Sequence, residues 1–435
     1  MDLKKAGFLL CCLLWMSQAL AQQATVDSLI LAGSLFRDSK QFDKAVISLD
    51  SVLDIQPSNQ KALLLLAKIN TELNDLNGAR LLYTKLIGID SNNLIYVYNR
   101  ASVNMQLFRY KEAVQDYSYL IVRHPLDTNA IFERAVAYSE MDDYEKALAD
   151  YLHVQTLHPN YEGLYYNKAF LEAEHLQFKK ALEDYNLAID HNKSDTESYV
   201  QRAFVKIELA QYKEALADCQ FVLRSSPNHL EALLHRASAH AHLNNLGESL
   251  NDLNKANTLD PKRAEVYIDR AYLFLDMNKV KNALADFSQA IVLDSTYVEA
   301  YIGRALCFEN FKQYHKAIAD YSRCVKLDSL NEQLYNLRAL AYMENKEFRL
   351  ALLDANKAIV LSAADPELYY NRAQCYKAMK NYNEALSDFN KAIELAPNEA
   401  LFYLERAKVF LAKGDKAAHN ADIKKAKEMD KEERK

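Results

Sequence analysis

PELYYNRAQCYKAMKNYNEALSDFNKAIELAPNE, residues 366–399, is the stretch on which the fold turns. It reads as two short amphipathic helices with a polar joint at Asn381. Tyr369, Ala373 and Tyr376 recur at four- and three-residue steps and so share one face of a first helix. Ala385, Phe389 and Ala392 do the same on a second. Pro397 follows, where a proline cannot continue the helix. Neither helix buries its apolar stripe alone, so the pattern calls for neighbours of the same kind.

The chain supplies them. With constant 34-residue steps the unit starts at Val26, Gln60, Leu94, Thr128, Glu162, Thr196, Leu230, Ala264, Val298, Glu332, Pro366 and Ala400. That makes twelve repeats over residues 26–433, with no insertion or deletion. The eighth position is Gly33 in the first repeat and alanine in all the others, from Ala67 to Ala407. Small residues there let two helices approach closely. The twentieth position is alanine from Ala45 to Ala385, except Ser249, and becomes His419 in the last repeat. Every proline lies at a repeat junction: Pro57, Pro125, Pro159, Pro227, Pro261 and Pro397 at position 32, and Pro366 at position 1.

This unit resembles the tetratricopeptide repeat: small residues at 8 and 20, aromatics at 4, 11 and 24, and proline at 32. The resemblance covers residues 26–433. It implies an all-α fold, an α-solenoid in which about twelve helix-turn-helix hairpins wind into a right-handed superhelix. It also implies a non-enzymatic scaffold that binds a partner protein or peptide in a concave groove lined by the first helices. The first two repeats are the weakest copies, with Leu29 and Leu63 where an aromatic is usual. The last is read as a polar cap, Asp422–Lys435.

Composition is compatible with this reading. Half of the 435 residues are hydrophobic, a quarter are charged, and only eight glycines and seven prolines occur. The net charge of −6 argues against nucleic-acid binding, which needs a basic face. Residues 1–21 stand apart. Lys4 and Lys5 precede an apolar run from Ala6 to Met16, then Ser17-Gln18-Ala19-Leu20-Ala21. This resembles a bacterial secretory signal peptide cleaved after Ala21, with residues 22–25 as a short spacer. The apolar run is shorter than the roughly 20 residues a membrane anchor needs, so no stable membrane insertion is expected after cleavage. Leu10 stands before Cys11 where lipidation expects a small residue. The expected location is periplasmic, envelope-associated or secreted.

One pattern is particular to this chain. Position 7 is basic and position 23 is aspartate together in repeats 3 to 12, as in Arg304 with Asp320 and Arg372 with Asp388; repeats 1 and 2 lack both. Both positions flank the hairpin interface, so we read a partly buried structural ion pair in each hairpin, in preference to an anion-binding ladder. In the resembled family, positions 2, 5, 9, 12 and 13 face the ligand. Here position 5 is mostly apolar, position 9 carries Phe170, Phe204 and Tyr272, and position 13 carries Glu174, Glu208 and Asp276 among other acids. These six residues are the expected partner-binding set, suited to a segment with hydrophobic anchors and basic flanks. The alternative is core packing for position 5 and ordinary solvation for position 13. The lysine and asparagine of the family's carboxylate clamp are absent from positions 5 and 9.

No catalytic motif, phosphate-binding glycine loop or paired zinc cysteines occur, and no cofactor or metal is expected. His235, His240 and His242 form the nearest histidine cluster, but His235 and His242 lie two helical turns apart. Cys219, Cys307, Cys324 and Cys375 read as buried free thiols, with Cys307 and Cys324 the one pair to test for a disulfide. A cell-wall or glycan-binding module using the tyrosine-rich surface is the second reading of function.

Overall fold

The computed structural model describes residues 3–433, with side chains from 15 to 429. The basic start of the leader, Cys11 and Cys12 therefore lie outside the described side chains, and residues 434–435 outside the described chain. The chain is all-α: the described residues form 24 helices and no strand. It divides into two compact units, Met1–Leu209 and Ala210–Lys435.

The first unit contains α1 (Leu3–Asp38), α2 (Phe42–Ile55), α3 (Gln60–Glu72), α4 (Leu76–Ile89), α5 (Leu94–Gln106), α6 (Tyr110–Arg123), α7 (Thr128–Ser139), α8 (Tyr144–Leu157), α9 (Leu164–Glu174), α10 (Phe178–His191) and α11 (Thr196–Glu208). The second contains α12 (Tyr212–Ser225), α13 (Leu230–His242), α14 (Leu246–Leu259), α15 (Ala264–Asp276), α16 (Val280–Leu293), α17 (Val298–Asn310), α18 (Tyr314–Leu327), α19 (Glu332–Glu344), α20 (Phe348–Leu361), α21 (Pro366–Ala378), α22 (Tyr382–Leu395), α23 (Ala400–Ala412) and α24 (Lys416–Glu433). Odd-numbered helices open the hairpins and even-numbered helices close them. Residues 22–25, expected as a spacer, are instead helical and part of α1. Nothing in Gln22-Gln23-Ala24-Thr25 breaks a helix, and the Thr25 hydroxyl donates to the Ala21 carbonyl at 3.0 Å.

Each opening helix ends in the same way. The fifteenth residue of every repeat takes a left-handed conformation, from Lys40 through Phe108, Leu176 and Lys346 to Gly414. Eleven of these are not glycine, with φ between 56° and 63°. The next residue's amide then reaches back to position 11, as in Asn381 N to Tyr376 O at 2.8 Å. This is a Schellman closure, and it turns the chain into the second helix. Helix starts are also built locally. The Asp365 side chain accepts from the Glu367 amide, with Pro366 at the first helical position.

The core runs through the hairpins as a row. The small residues at positions 8 and 20 are almost wholly inaccessible, from Ala45 and Ala67 to Ala385 and Ala407. Between them sits the ring of position 24: Tyr117, Tyr151, Tyr185, Phe287, Tyr321 and Phe389 are all fully buried. Within each unit the opening helices of successive hairpins touch one another, α7 with α9, α9 with α11, α15 with α17 and α19 with α21. Among the described residues no two closing helices pack as closely. The opening helices thus lie on the inner side of the stack in each unit.

Candidate partner-binding surface

The charges at positions 7 and 23 meet in a forked ion pair. Arg304 Nη2 donates to Asp320 Oδ1 at 2.7 Å and its Nε to Oδ2 at 2.8 Å. Arg372 pairs with Asp388 at 2.6 and 2.7 Å. The same fork joins Arg100 to Asp116, Arg134 to Asp150, Arg236 to Asp252, Arg270 to Asp286, Arg338 to Asp354 and Arg406 to Asp422. The aspartates are buried, and in several hairpins the guanidinium also spends its third nitrogen on the preceding closing helix. Arg372 Nη1 donates to Asn356 at 2.8 Å, Arg406 to Asn390 and Arg270 to Asn254. Arg372 also lies 5.7 Å from the Tyr369 ring centroid, and Arg304 5.6 Å from that of Tyr301. The arginine is thus held mainly by its own hairpin, and where the third bond forms, as for Arg372, it ties three helices together.

Several position-5 side chains take the core-packing alternative. Val200 is fully buried, and Ile268 and Phe132 are nearly so. In four hairpins the reason is the ring at position 24; in the sixth, Cys219 takes that place and Val200 is buried without a ring. Tyr98 packs edge-on against Tyr117, Phe132 against Tyr151, Tyr166 against Tyr185 and Tyr370 against Phe389, with centroids 5.8–6.0 Å apart. An edge-to-face pair adds about 0.5–1.5 kcal/mol beyond area burial, so position 5 is drawn into its own hairpin.

Position 9 is left on the surface. In the first unit Phe170 on α9 is 39% exposed and stacks on Tyr166 at 6.4 Å; Phe204 on α11 is half-buried and meets Phe178 edge-on at 6.2 Å. Glu174 and Glu208 close the same helices, both exposed. Burial, ahead of its neighbouring charges, raises the Glu174 carboxyl above its ordinary value. In the second unit Tyr272 on α15 is 36% exposed, packs edge-on against Phe287 at 5.0 Å, and is followed by exposed Asp276. Leu306 continues the position-9 row on α17. Part of the position-13 edge already has a structural use: Glu140 accepts from the Tyr110 hydroxyl at 2.9 Å, and Glu72 pairs with Arg37.

The fifth hairpin is the irregular one. Its opening helix begins at Leu164, two residues later than the expected Glu162, because Gly163 takes φ +76° and ends the turn before it. The missing half-turn leaves a cavity of about 670 Å³ between this turn, the end of α10 and the start of α11. Its walls carry Tyr161, Tyr165, Tyr166 and His191, and the carboxylates Glu162, Asp195 and Glu197. Tyr165 and His191 are stacked at 5.1 Å. The visible signal for it was a glycine at the second position of a helix, in Tyr161-Glu162-Gly163-Leu164, which no other repeat has.

The same hairpin buries an unusual charge cluster. Lys168 replaces the arginine and reaches Asp184 at 2.9 Å. Glu172, 2% exposed, occupies position 11 beside them, and its Oε2 has no hydrogen-bond partner among the described residues. Burial and then the Asp184 carboxylate push its carboxyl up to about 8, against the pull of Lys168 and Lys180.

The four described cysteines are buried free thiols, Cys307 and Cys324 included. Cys324 Sγ points at the Val298 carbonyl at 3.7 Å, and burial pushes its thiol up to about 12. His242 stacks on Tyr212 at 4.5 Å, and His240 faces the Asn245 amide. No group of three or more metal-ligating side chains occurs among the described residues. No helix there is long and apolar enough to cross a membrane.

Models of the tetratricopeptide repeat match residues 128–161, 203–264, 268–332 and 366–399. These segments carry tetratricopeptide repeats, the last being the stretch quoted at the outset. No curated protein matches the sequence. Among solved structures the chain is similar to the Cut9–Hcn1 hetero-tetramer of APC/C, with 14% identity, 93% of each chain covered and a TM-score of 0.45. It is similar to yeast Tom70, with 17% identity, 95% of this chain and 97% of that one covered, and a TM-score of 0.42. A tetratricopeptide repeat protein from Parabacteroides merdae shows 20% identity over 57% of this chain and 97% of its own, with a TM-score of 0.43.

Proposed function

We propose that this array of tetratricopeptide repeats is a non-catalytic scaffold that holds a segment of another protein along its opening helices. The observation that carries the reading is the position-9 row. Phe170 and Tyr272 keep more than a third of their surface in water although both sit on the inner side of the stack in their units. Aromatic side chains so placed are the usual anchors of a protein interface, since they offer large area at low entropic cost. The acids at Glu174, Glu208 and Asp276 border the row and favour a partner with basic flanks. Each unit carries its own part of this surface, Phe170 and Phe204 in one and Tyr272 in the other.

The test is substitution of Phe170 and Phe204 by alanine, with partner capture from an envelope extract and circular dichroism read together. The reading expects capture to fall at unchanged helicity. Unchanged capture by a folded variant contradicts it. The proposal extends to place: the leader-like first 21 residues favour action in the periplasm or at the cell envelope. Fractionation with amino-terminal sequencing checks this, with a mature start at Gln22 as the expected result and full-length protein in the cytosol as the contrary one.

A further inference from the structure

The cavity in the fifth hairpin has a chemistry that the packing of the array does not require. Glu162, Asp195 and Glu197 line it, and among the described residues no lysine or arginine does. The bonds made by two of these carboxylates go to neutral groups. Asp195 accepts from the Ser198 hydroxyl at 2.5 Å, and Glu197 from the Gln201 amide at 2.9 Å. Asp195 and Glu197 also stand at the amino end of α11, where the helix dipole welcomes negative charge. Glu162 likewise stands just ahead of the amino end of a helix, α9. It lies in the turn ahead of α9, exposed, beside the left-handed Gly163. The negative field is felt by the wall: burial, then the charges of Glu197 and Asp195, push the Tyr166 hydroxyl up to about 12.

The other wall is flat and aromatic. Tyr165 and His191 lie face to face with planes 13° apart, and Tyr166 leads from the cavity to Phe170 through a second stack. We propose that this cavity receives an arginine side chain of the bound segment, an inference that rests on the scaffold reading above. Three carboxylates call for a cation. A planar guanidinium stacks on ring faces and forks onto carboxylates, which a compact, strongly hydrated ammonium does not. About 670 Å³ is within the range of pockets that enclose a small ligand, so it admits the side chain with its flanking backbone. The Tyr166–Phe170 stack sets the partner's spacing: an apolar anchor on Phe170 brings a neighbouring residue over the cavity.

The experiment selects binders from a displayed library of random twelve-residue peptides on the full chain. The best peptide is then titrated against wild type and the double variant Glu162→Gln with Glu197→Gln, which spares the Asp195–Ser198 bond. We expect arginine to be enriched beside an apolar residue, competition by millimolar N-acetyl-arginine amide, and a roughly tenfold affinity loss in the variant at unchanged helicity. Replacing the peptide's arginine by lysine is expected to weaken binding several-fold; equal affinity overturns the choice of arginine. Peptides without arginine, insensitive to the double variant but lost on Phe170→Ala, overturn this proposal and leave the scaffold reading standing. Failure to select any peptide that depends on Phe170 or on the carboxylates overturns both.

Discussion

Arg372 and Asp388 show at the scale of single residues how this chain differs from a generic repeat. The Asp388 side chain is 7% exposed and that of Arg372 20%, so neither charge is well served by water. Removing one partner of such a pair leaves a buried charge uncompensated, at about 3–5 kcal/mol, whereas replacing both with apolar groups is close to neutral. We expect Arg372→Met to destabilise the array by several kcal/mol, and Arg372→Met with Asp388→Leu to recover most of the loss. A double-mutant cycle by denaturant unfolding measures this, and additive effects would rule out the coupling. Glu172 gives the pH counterpart. Its carboxyl is raised from 4.5 to about 8, so the folded chain holds a proton that the unfolded chain has released. Its stabilising contribution is complete below about pH 4.5 and is lost as pH rises to about 8, at up to ~1.4 kcal/mol per unit. Wild type minus Glu172→Gln should show this slope between pH 5 and 8; parallel stability profiles would contradict the assignment.

At the scale of elements, the turn and the helix face impose different demands. Lys346 holds φ at 63° where only glycine is free of steric cost. Lys346→Gly is expected to stabilise its hairpin by about 0.5–1 kcal/mol, seen as slower amide exchange in α19 and α20. Gly303 is the reverse case. It lies inside α17, where glycine costs about 0.5–1 kcal/mol relative to alanine. A Cβ there would stand 2.1 Å from the buried Phe287 ring. Gly303→Ala should therefore destabilise by about 1–3 kcal/mol through overpacking, and a raised melting temperature would refute the contact.

These elements also show what could be read in advance. The small residues at positions 8 and 20 recur in phase, and so the helix pairs are legible. Charges that come and go together, like Arg304 and Asp320, are legible for the same reason. The left-handed turn at position 15 is not, because Lys, Asn, Asp, Leu and even Phe108 occupy it without a glycine signature. Core packing at position 5 was open as an alternative, but the ring that draws Tyr166 inward lies at position 24 of the other helix, where only the fold brings it near. The cavity depends on the left-handed φ of Gly163, which a lone glycine in a sequence does not specify.

At the scale of the molecule, within each unit a hairpin meets only its sequence neighbours, so stability there is nearly a sum of local terms and surface residues are free to vary from repeat to repeat. The ion pairs join the two helices of a hairpin, and position-9 side chains such as Phe170 and Tyr272 stay on the surface of the opening helices in each unit. The central claim is that this inner side, and not the closing helices, meets the partner. Phe170 on α9 and Leu152 on α8, 39% and 45% exposed, offer matched sites for a photoreactive phenylalanine on the two sides. Illuminated in envelope extract, the probe at Phe170 should give a discrete crosslinked species that the probe at Leu152 does not. Equal crosslinking from both, or crosslinking from Leu152 alone, would contradict the account.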